Sequence, residues 1–160
     1  MEKRIRGGER VLDVGTGTGI LAVAAHRLGA GHVTAVDIDR SACAETRKSL
    51  ALNGIVGGVL VVEGGVRSVS DRYDVVVANL RTPILVEILE DIPDRLNRGG
   101  VAILSGILER EIHPFLSRMG ERLFEPPEIL RIRGWMTLVS EIRPADRPAR
   151  VTEGQPPTPP

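Results

Sequence analysis

"VLDVGTGTGILAVAA", residues 11–25, sets three glycines in alternation with threonines directly after an apolar run that carries one aspartate. An apolar run that ends in glycines and resumes at helical spacing is a strand-turn-helix unit, and turns of this composition cradle nucleotides. Outward from it, short apolar runs alternate with helix-like stretches, the pattern of a parallel sheet covered by helices. Arg10–Val14, His32–Asp37, Val59–Glu63, Tyr73–Asn79 and Val101–Ser105 are the predicted strands, several of them continuous Val/Ile/Leu segments suited to burial on both faces.

The spacing predicts a helix over Thr18–Leu28, with Leu21, Ala24, Ala25 and Leu28 on one face, and a second over Arg40–Leu52 capped by Asp39. Thr82-Pro83 starts a third, whose stripe Ile84, Leu85, Ile88, Leu89 and Ile92 is interrupted by Pro93 and ended by "NRGG". Glu109–Met119 is a further helix, with Pro114 inside it. "EILRIRGWMTLVSEI" reads as two short antiparallel strands joined at Gly134. From Pro144 onward six of seventeen residues are proline, without apolar periodicity. The expected organisation is one domain over 1–143 and a disordered or extended tail over 144–160.

Composition narrows the function classes. The 21 basic and 21 acidic side chains cancel, which gives no global electrostatic reason for direct contact with nucleic acid or an anionic membrane. The single cysteine, Cys43, excludes an internal disulfide and fits a reducing compartment. No stretch is long and apolar enough for a membrane span, and "MEKRIRGGER" lacks a signal-peptide core, so the expectation is cytoplasmic. His26, His32 and His113 are scattered without metal-ligand spacing, and no metal site is expected.

Three nucleotides compete for the glycine turn. A triphosphate loop needs a lysine beside it, and the chain has only Lys3 and Lys48. "GTGILA" satisfies the dinucleotide pattern formally, but leaves Gly15 surplus and requires a second domain to carry the substrate groups. The third reading uses Gly15, Gly17 and Gly19 together, with Asp37 ending the next strand where it accepts hydrogen bonds from ribose hydroxyls. Asp13 places another acid beside the turn. A pyrophosphate is repelled there, whereas a sulfonium and an α-amino group are favoured. That difference selects S-adenosyl-L-methionine over NAD.

With "GAGHVTAVDID", "LALNG", "YDVVVANL", "RGGVAILSGIL" and the late "GWMTLV", the sequence resembles the class I methyltransferases, and more narrowly the PrmA family of ribosomal-protein lysine methyltransferases, over Glu9 to Ile142. The resemblance implies an α/β, Rossmann-like class I methyltransferase fold: a seven-stranded, mostly parallel sheet with helices on both faces. The implied strand order is 3-2-1-4-5-7-6, with the seventh strand antiparallel. The implied activity is S-adenosylmethionine-dependent N-methylation of a protein amine, a lysine or an N-terminus, with a ribosomal protein among the candidates. A small-molecule methyltransferase and a catalytically idle cofactor-binding subunit that needs a partner chain are the alternatives, and an NAD-binding oxidoreductase fragment is a poorer one. The family also carries an N-terminal recognition domain and linker, neither of which is expected here with nine residues before the first strand. "NLRTP" departs from the family's small apolar segment, so Arg81 alters what approaches the methyl group. The sequence assigns no oligomeric state.

The cofactor-binding candidates are Asp13, Gly15, Thr16, Gly17, Gly19, Asp37, Ile38 and Asn79. By resemblance, the Asn79 amide and the Leu80 backbone carbonyl align the amine, and these two are the catalytic candidates. Ile38 and Val66 are candidates to cover the two faces of the adenine. The register of Glu63 against Gly64 and Gly65 leaves the adenine amino contact open. Trp135 is expected to pack against a helix, and Cys43 to act as a small buried hydrophobe.

Overall fold

In the computed structural model, which describes residues 1–142, β1 (Arg10–Val14), β2 (His32–Asp37), β3 (Val59–Glu63) and β4 (Tyr73–Asn79) occupy the four runs predicted for them. The proline-rich segment 144–160 lies outside the described residues. β5 (Leu96–Leu108) is longer than the predicted Val101–Ser105. It pairs Leu96 with Tyr73, breaks register, and resumes with Val101 opposite Val75. "NRGG" is thus an irregular strand entry and not a helix end. Asn97 Nδ2 donates to Asp74 Oδ1 at 2.8 Å, which ties the irregular segment to β4.

β6 (Glu128–Ile132) and β7 (Trp135–Glu141) form the antiparallel pair. Arg133 and Gly134 join them with φ of 50° and 80°, the left-handed pair that a two-residue hairpin requires. The sheet order is β3-β2-β1-β4-β5-β7-β6, with β7 antiparallel to both neighbours, as the resemblance implies.

α1 (Ile20–Arg27) begins two residues after the predicted Thr18, because Gly19 at φ 78° is outside helical space. α2 (Arg40–Leu52) has the predicted limits, and the Asp39 carboxylate caps it by accepting from the Ser41 N–H at 2.7 Å. α3 (Thr82–Ile88) and α4 (Ile92–Arg95) are the predicted helix divided near Pro93, which has no N–H and whose ring collides with the carbonyl four residues back. α5 (Ile112–Leu123) starts later than the predicted Glu109, after a 3-10 turn over Glu109–Glu111. Pro114 falls in its first turn, where a missing N–H costs nothing.

Alternation along the strands builds two apolar layers. Leu12, Val14, Val76 and Leu104 pack with Leu85, Ile92 and Phe115 from α3, α4 and α5. Val11, Val33, Val75 and Val77 face Ala22 and Ala25 of α1. Truncating Phe115, which is fully buried, to alanine would cost about 3–5 kcal/mol. Cys43 is buried as expected, its thiol near the Asp37 and Val62 carbonyls. Among the described residues no helix is long and apolar enough to cross a membrane. Since β1 to β5 are parallel, the turns after Val14, Asp37, Glu63 and Asn79 gather at one sheet edge, where ligands bind in open α/β sheets.

Candidate functional site

β1 ends at this edge in a turn that only glycine forms easily. Gly15, Gly17 and Gly19 have φ of 71°, 57° and 78°. A side chain at any of them would cost about 1–2 kcal/mol in that conformation. The Gly15 and Thr16 N–H groups donate to the Val36 carbonyl at 2.8 and 3.0 Å, which anchors the turn on β2. One residue on, Asp37 takes over. Its Oδ2 accepts from the Gly17 N–H at 2.9 Å and its Oδ1 from the Asp39 N–H at 3.0 Å. Each carboxylate oxygen keeps a further lone pair, and the side chain is only partly buried. Asp37 therefore braces the turn and still presents acceptors at the sheet edge.

Asp13 and Thr16 lie under the turn. Asp13 is 1% exposed, and its Oδ2 accepts from the Thr16 hydroxyl at 2.7 Å. Its Oδ1 has no hydrogen-bond partner among the described residues. Burial pushes the carboxyl up to about 6, against the Thr16 hydroxyl and the Ala22 N–H, which favour the charged form. The negative charge of Asp37 adds to the rise.

Ile38 follows Asp37 and is 82% exposed, an apolar side chain left in water beside a carboxylate. It faces Gly65, where an added Cβ would stand 3.8 Å from Ile38 Cγ2. Val66 does not join them, in contrast to the sequence expectation. Its side chain is buried in the core at the start of a 3-10 turn, so Ile38 lies beside the backbone of Gly65. Glu63 is exposed and stands opposite Asp37 in the sheet.

Asn79 ends β4 opposite Ser105, is exposed, and has no hydrogen-bond partner for its amide among the described residues. The Leu80 N–H donates to the Ser105 carbonyl at 3.1 Å. The Leu80 side chain rests on Gly15, in the space that a Cβ there would fill. Its carbonyl rests on Gly106, where β5 bulges and φ is 87°. A Cβ on Gly106 would overlap the Leu80 carbonyl and stand 3.0 Å from Asn79 Oδ1. Direct contacts thus run from Asp37 through the glycine turn to Leu80, Gly106 and Asn79.

Gly106 and Thr46 belong to this constellation and were not among the sequence candidates. The signal for Gly106 was a glycine inside the apolar run "AILSGIL", which marks a bulge or a close backbone approach. Thr46 on α2 donates its hydroxyl to the Gly17 carbonyl at 3.0 Å, and nothing in the local sequence marks it. Trp135 is 51% exposed, so half of its side chain stands in water. β7 turns Met136, Leu138 and Ser140 inward, and the opposite parity places Trp135 outward, paired with Leu108 at the sheet edge. Arg81 is exposed just beyond Leu80. Among the described residues no group of three or more His, Cys, Asp or Glu side chains could hold a metal ion. A separate groove of about 550 Å³, between residues 1–4, Ala24, Leu28 and Val139, includes none of the candidates.

The arrangement has a definite chemical character. Two carboxylates beside a glycine turn disfavour a diphosphate and favour a cation, and the Asp37 oxygens suit a pair of hydroxyls. The Asn79 amide and the Leu80 carbonyl offer acceptor oxygens at the same edge.

Comparison with known proteins agrees with this character. A family model described as "Ribosomal protein L11 methyltransferase (PrmA)" matches residues 1–143. A ribosomal protein L11 methyltransferase of Pelotomaculum thermopropionicum is 46% identical over 112 residues, 69% of this chain and 36% of the relative. One from Caldicellulosiruptor saccharolyticus is 34% identical over 141 residues, 88% of this chain and 46% of its own length. The chain therefore spans less than half the length of these curated relatives. A crystal structure of a ribosomal protein L11 methylase from Lactobacillus delbrueckii superposes with a TM-score of 0.84 at 31% identity, covering 89% of this chain and 74% of the other. A 16S rRNA methyltransferase from T. thermophilus, solved with AdoMet and guanosine, shares the fold at TM-score 0.74 and 23% identity, over 89% of this chain and 40% of that one.

Proposed function

The chain belongs to the ribosomal protein L11 methyltransferase (PrmA) family, and from that premise we propose that it transfers a methyl group from S-adenosyl-L-methionine to a protein amine. The observation that carries the proposal is the contact of Leu80 with Gly15, which joins the nucleotide turn to the strand end that bears Asn79.

The residues present fit this cofactor. The orphaned Oδ1 of Asp13 lies beneath a turn free of cationic side chains, which favours a positively charged ligand over a pyrophosphate. Gly15, Gly17 and Gly19 allow close backbone approach, Asp37 would accept the ribose hydroxyls, and Ile38 would cover one face of the adenine. When bound, the cofactor supplies a methyl group on a sulfonium that leaves as a neutral thioether.

The chain's own task is then mostly positional. The Asn79 amide oxygen and the Leu80 carbonyl hold the amine by its N–H groups, with the nitrogen lone pair aimed along the line of displacement. Held in this way, the amine would take the methyl group that the bound cofactor supplies, and the surplus proton on nitrogen would pass to water. Such alignment lowers a barrier by several kcal/mol without a strong base. A lysine that leaves water to reach this edge has its pKa lowered, which supplies the neutral amine. Arg81, exposed beside the path, shapes which segment approaches.

Two measurements test the proposal together. S-adenosylmethionine and S-adenosylhomocysteine should raise the thermal midpoint well above any effect of NAD or NADP, since a ligand of the native state stabilises it. Methyl-tritiated cofactor incubated with purified ribosomal protein L11 should label protein in an acid-resistant form. A preference for NAD would overturn the cofactor assignment. Label confined to small molecules would replace the protein acceptor. Binding without transfer, relieved by a second chain, would assign an idle subunit.

A further inference from the structure

Thr46 lies outside the sheet edge, on α2, yet it touches the nucleotide turn twice. It is fully buried, a polar residue on the inward face of a helix. Its hydroxyl donates to the Gly17 carbonyl at 3.0 Å. Its other branch, Cγ2, packs against Gly19, where an added Cβ would come within 2.9 Å of it and 3.0 Å of the Thr46 Cα.

The consequence follows from peptide geometry. The N–H of Gly17 belongs to the peptide plane before its Cα, and the C=O to the plane after it. Asp37 holds the first from β2 and Thr46 holds the second from α2. With both planes fixed, φ and ψ of Gly17 are fixed, at a residue that would otherwise visit both halves of conformational space freely. The methyl branch of Thr46 then bars Gly19 from moving toward α2. We propose that Thr46 is a positioning residue for cofactor binding: it locks the glycine turn in its binding conformation before the cofactor arrives. This rests on the methyltransferase reading above.

Preorganisation of this kind acts on affinity, since a turn already ordered loses less entropy on binding. The hydroxyl carries the lock and the methyl only limits Gly19, and the two can be separated. Thr46→Val keeps the shape and removes the hydroxyl. Thr46→Ser keeps the hydroxyl and removes the methyl.

The test is calorimetric titration of the whole chain with S-adenosylhomocysteine, well below the unfolding midpoint of the least stable variant. Thr46→Val should weaken binding about tenfold, and Thr46→Ser should stay within about threefold of the parent. With an accepted substrate, Thr46→Val should raise KM for S-adenosylmethionine while kcat moves little. Amide hydrogen exchange without ligand should quicken at Gly17 in the valine variant and not in the serine variant. Equal affinity of valine and parent, or an equal loss in serine and valine, overturns the proposal. If the parent itself binds no S-adenosylhomocysteine, the cofactor reading fails, and unchanged exchange at Gly17 in Thr46→Val separately overturns the lock.

Discussion

The side chain of Leu80 occupies the space that a Cβ on Gly15 would need, so the end of β4 and the turn after β1 are packed into each other. Gly15 is thereby constrained twice, by its φ of 71° and by its neighbour. Gly15→Ala should cost about 1–2 kcal/mol of stability from backbone conformation alone and should also displace Leu80. Combining it with Leu80→Ala should give a loss smaller than the sum of the two single losses, as expected for residues in contact. Urea denaturation of the four proteins in the cycle measures this. Strict additivity would show that the two residues do not press on each other.

Asp37 has a structural and a ligand-facing task, and two substitutions separate them. Asp37→Asn keeps an oxygen for one of the two N–H groups, whereas Asp37→Ala frees both Gly17 and Asp39. Both should weaken S-adenosylmethionine binding, alanine by at least tenfold, for loss of charge-assisted hydrogen bonds. Isothermal titration reads the affinities and circular dichroism checks the fold. Unchanged affinity in Asp37→Ala would remove the residue from the site.

Asn79 is exposed at the strand end, without a partner for its amide among the described residues, so its removal leaves no buried group unsatisfied. Asn79→Ala should therefore barely alter the melting temperature, lower cofactor affinity little and lower turnover strongly. A nucleophile that is no longer held in line loses rate and not cofactor binding. Steady-state rates below the melting transition decide the matter, and equal turnover would leave Asn79 as a turn residue.

Asp13 predicts a pH dependence whose sign is fixed by its carboxyl, raised from 3.8 to about 6 by burial. The native state holds this proton more tightly than the unfolded chain. The contribution of Asp13 to stability is thus fully present below about pH 4, is lost as pH rises through about 6, and is level above that. Asp13→Asn lacks this proton, so the stability of the parent relative to the variant should decline between pH 4 and 6 in denaturant titrations. Cation binding has the opposite sense: affinity for S-adenosylmethionine should tighten as pH rises through 6, because the carboxylate then forms. Parallel stability curves for parent and variant would mean that Asp13 titrates normally.

β1 to β4 were legible to the residue because each is an apolar run closed by a glycine, an acid or an asparagine. The start of β5 was not, since "NRGG" has the composition of a loop and is drawn into the sheet by its contact with Asp74. Gly15, Gly17 and Asp37 could be found because they lie within one strand-helix-strand unit, where spacing fixes geometry. Thr46 reaches the same turn, and Gly106 the Leu80 carbonyl, through packing of separate elements: a glycine inside an apolar run marks a close approach at Gly106 but not what it approaches, and nothing local marks Thr46. Val66, offered with Ile38 for the adenine, is turned into the core by its 3-10 turn, a direction that apolar composition alone does not encode.

The glycine turn is held by Val36, Asp37 and Thr46, all within the first two strand-helix units. The edge proposed for the acceptor is built later in the chain, by Asn79, Leu80 and Gly106. The contact of Leu80 with Gly15 is where these halves meet. Inheritance can therefore act on them separately. On the proposed function, changes after β4 would retarget the methyl group while the first half kept its ligand, and the pair Gly15–Leu80 is where such drift should be slowest.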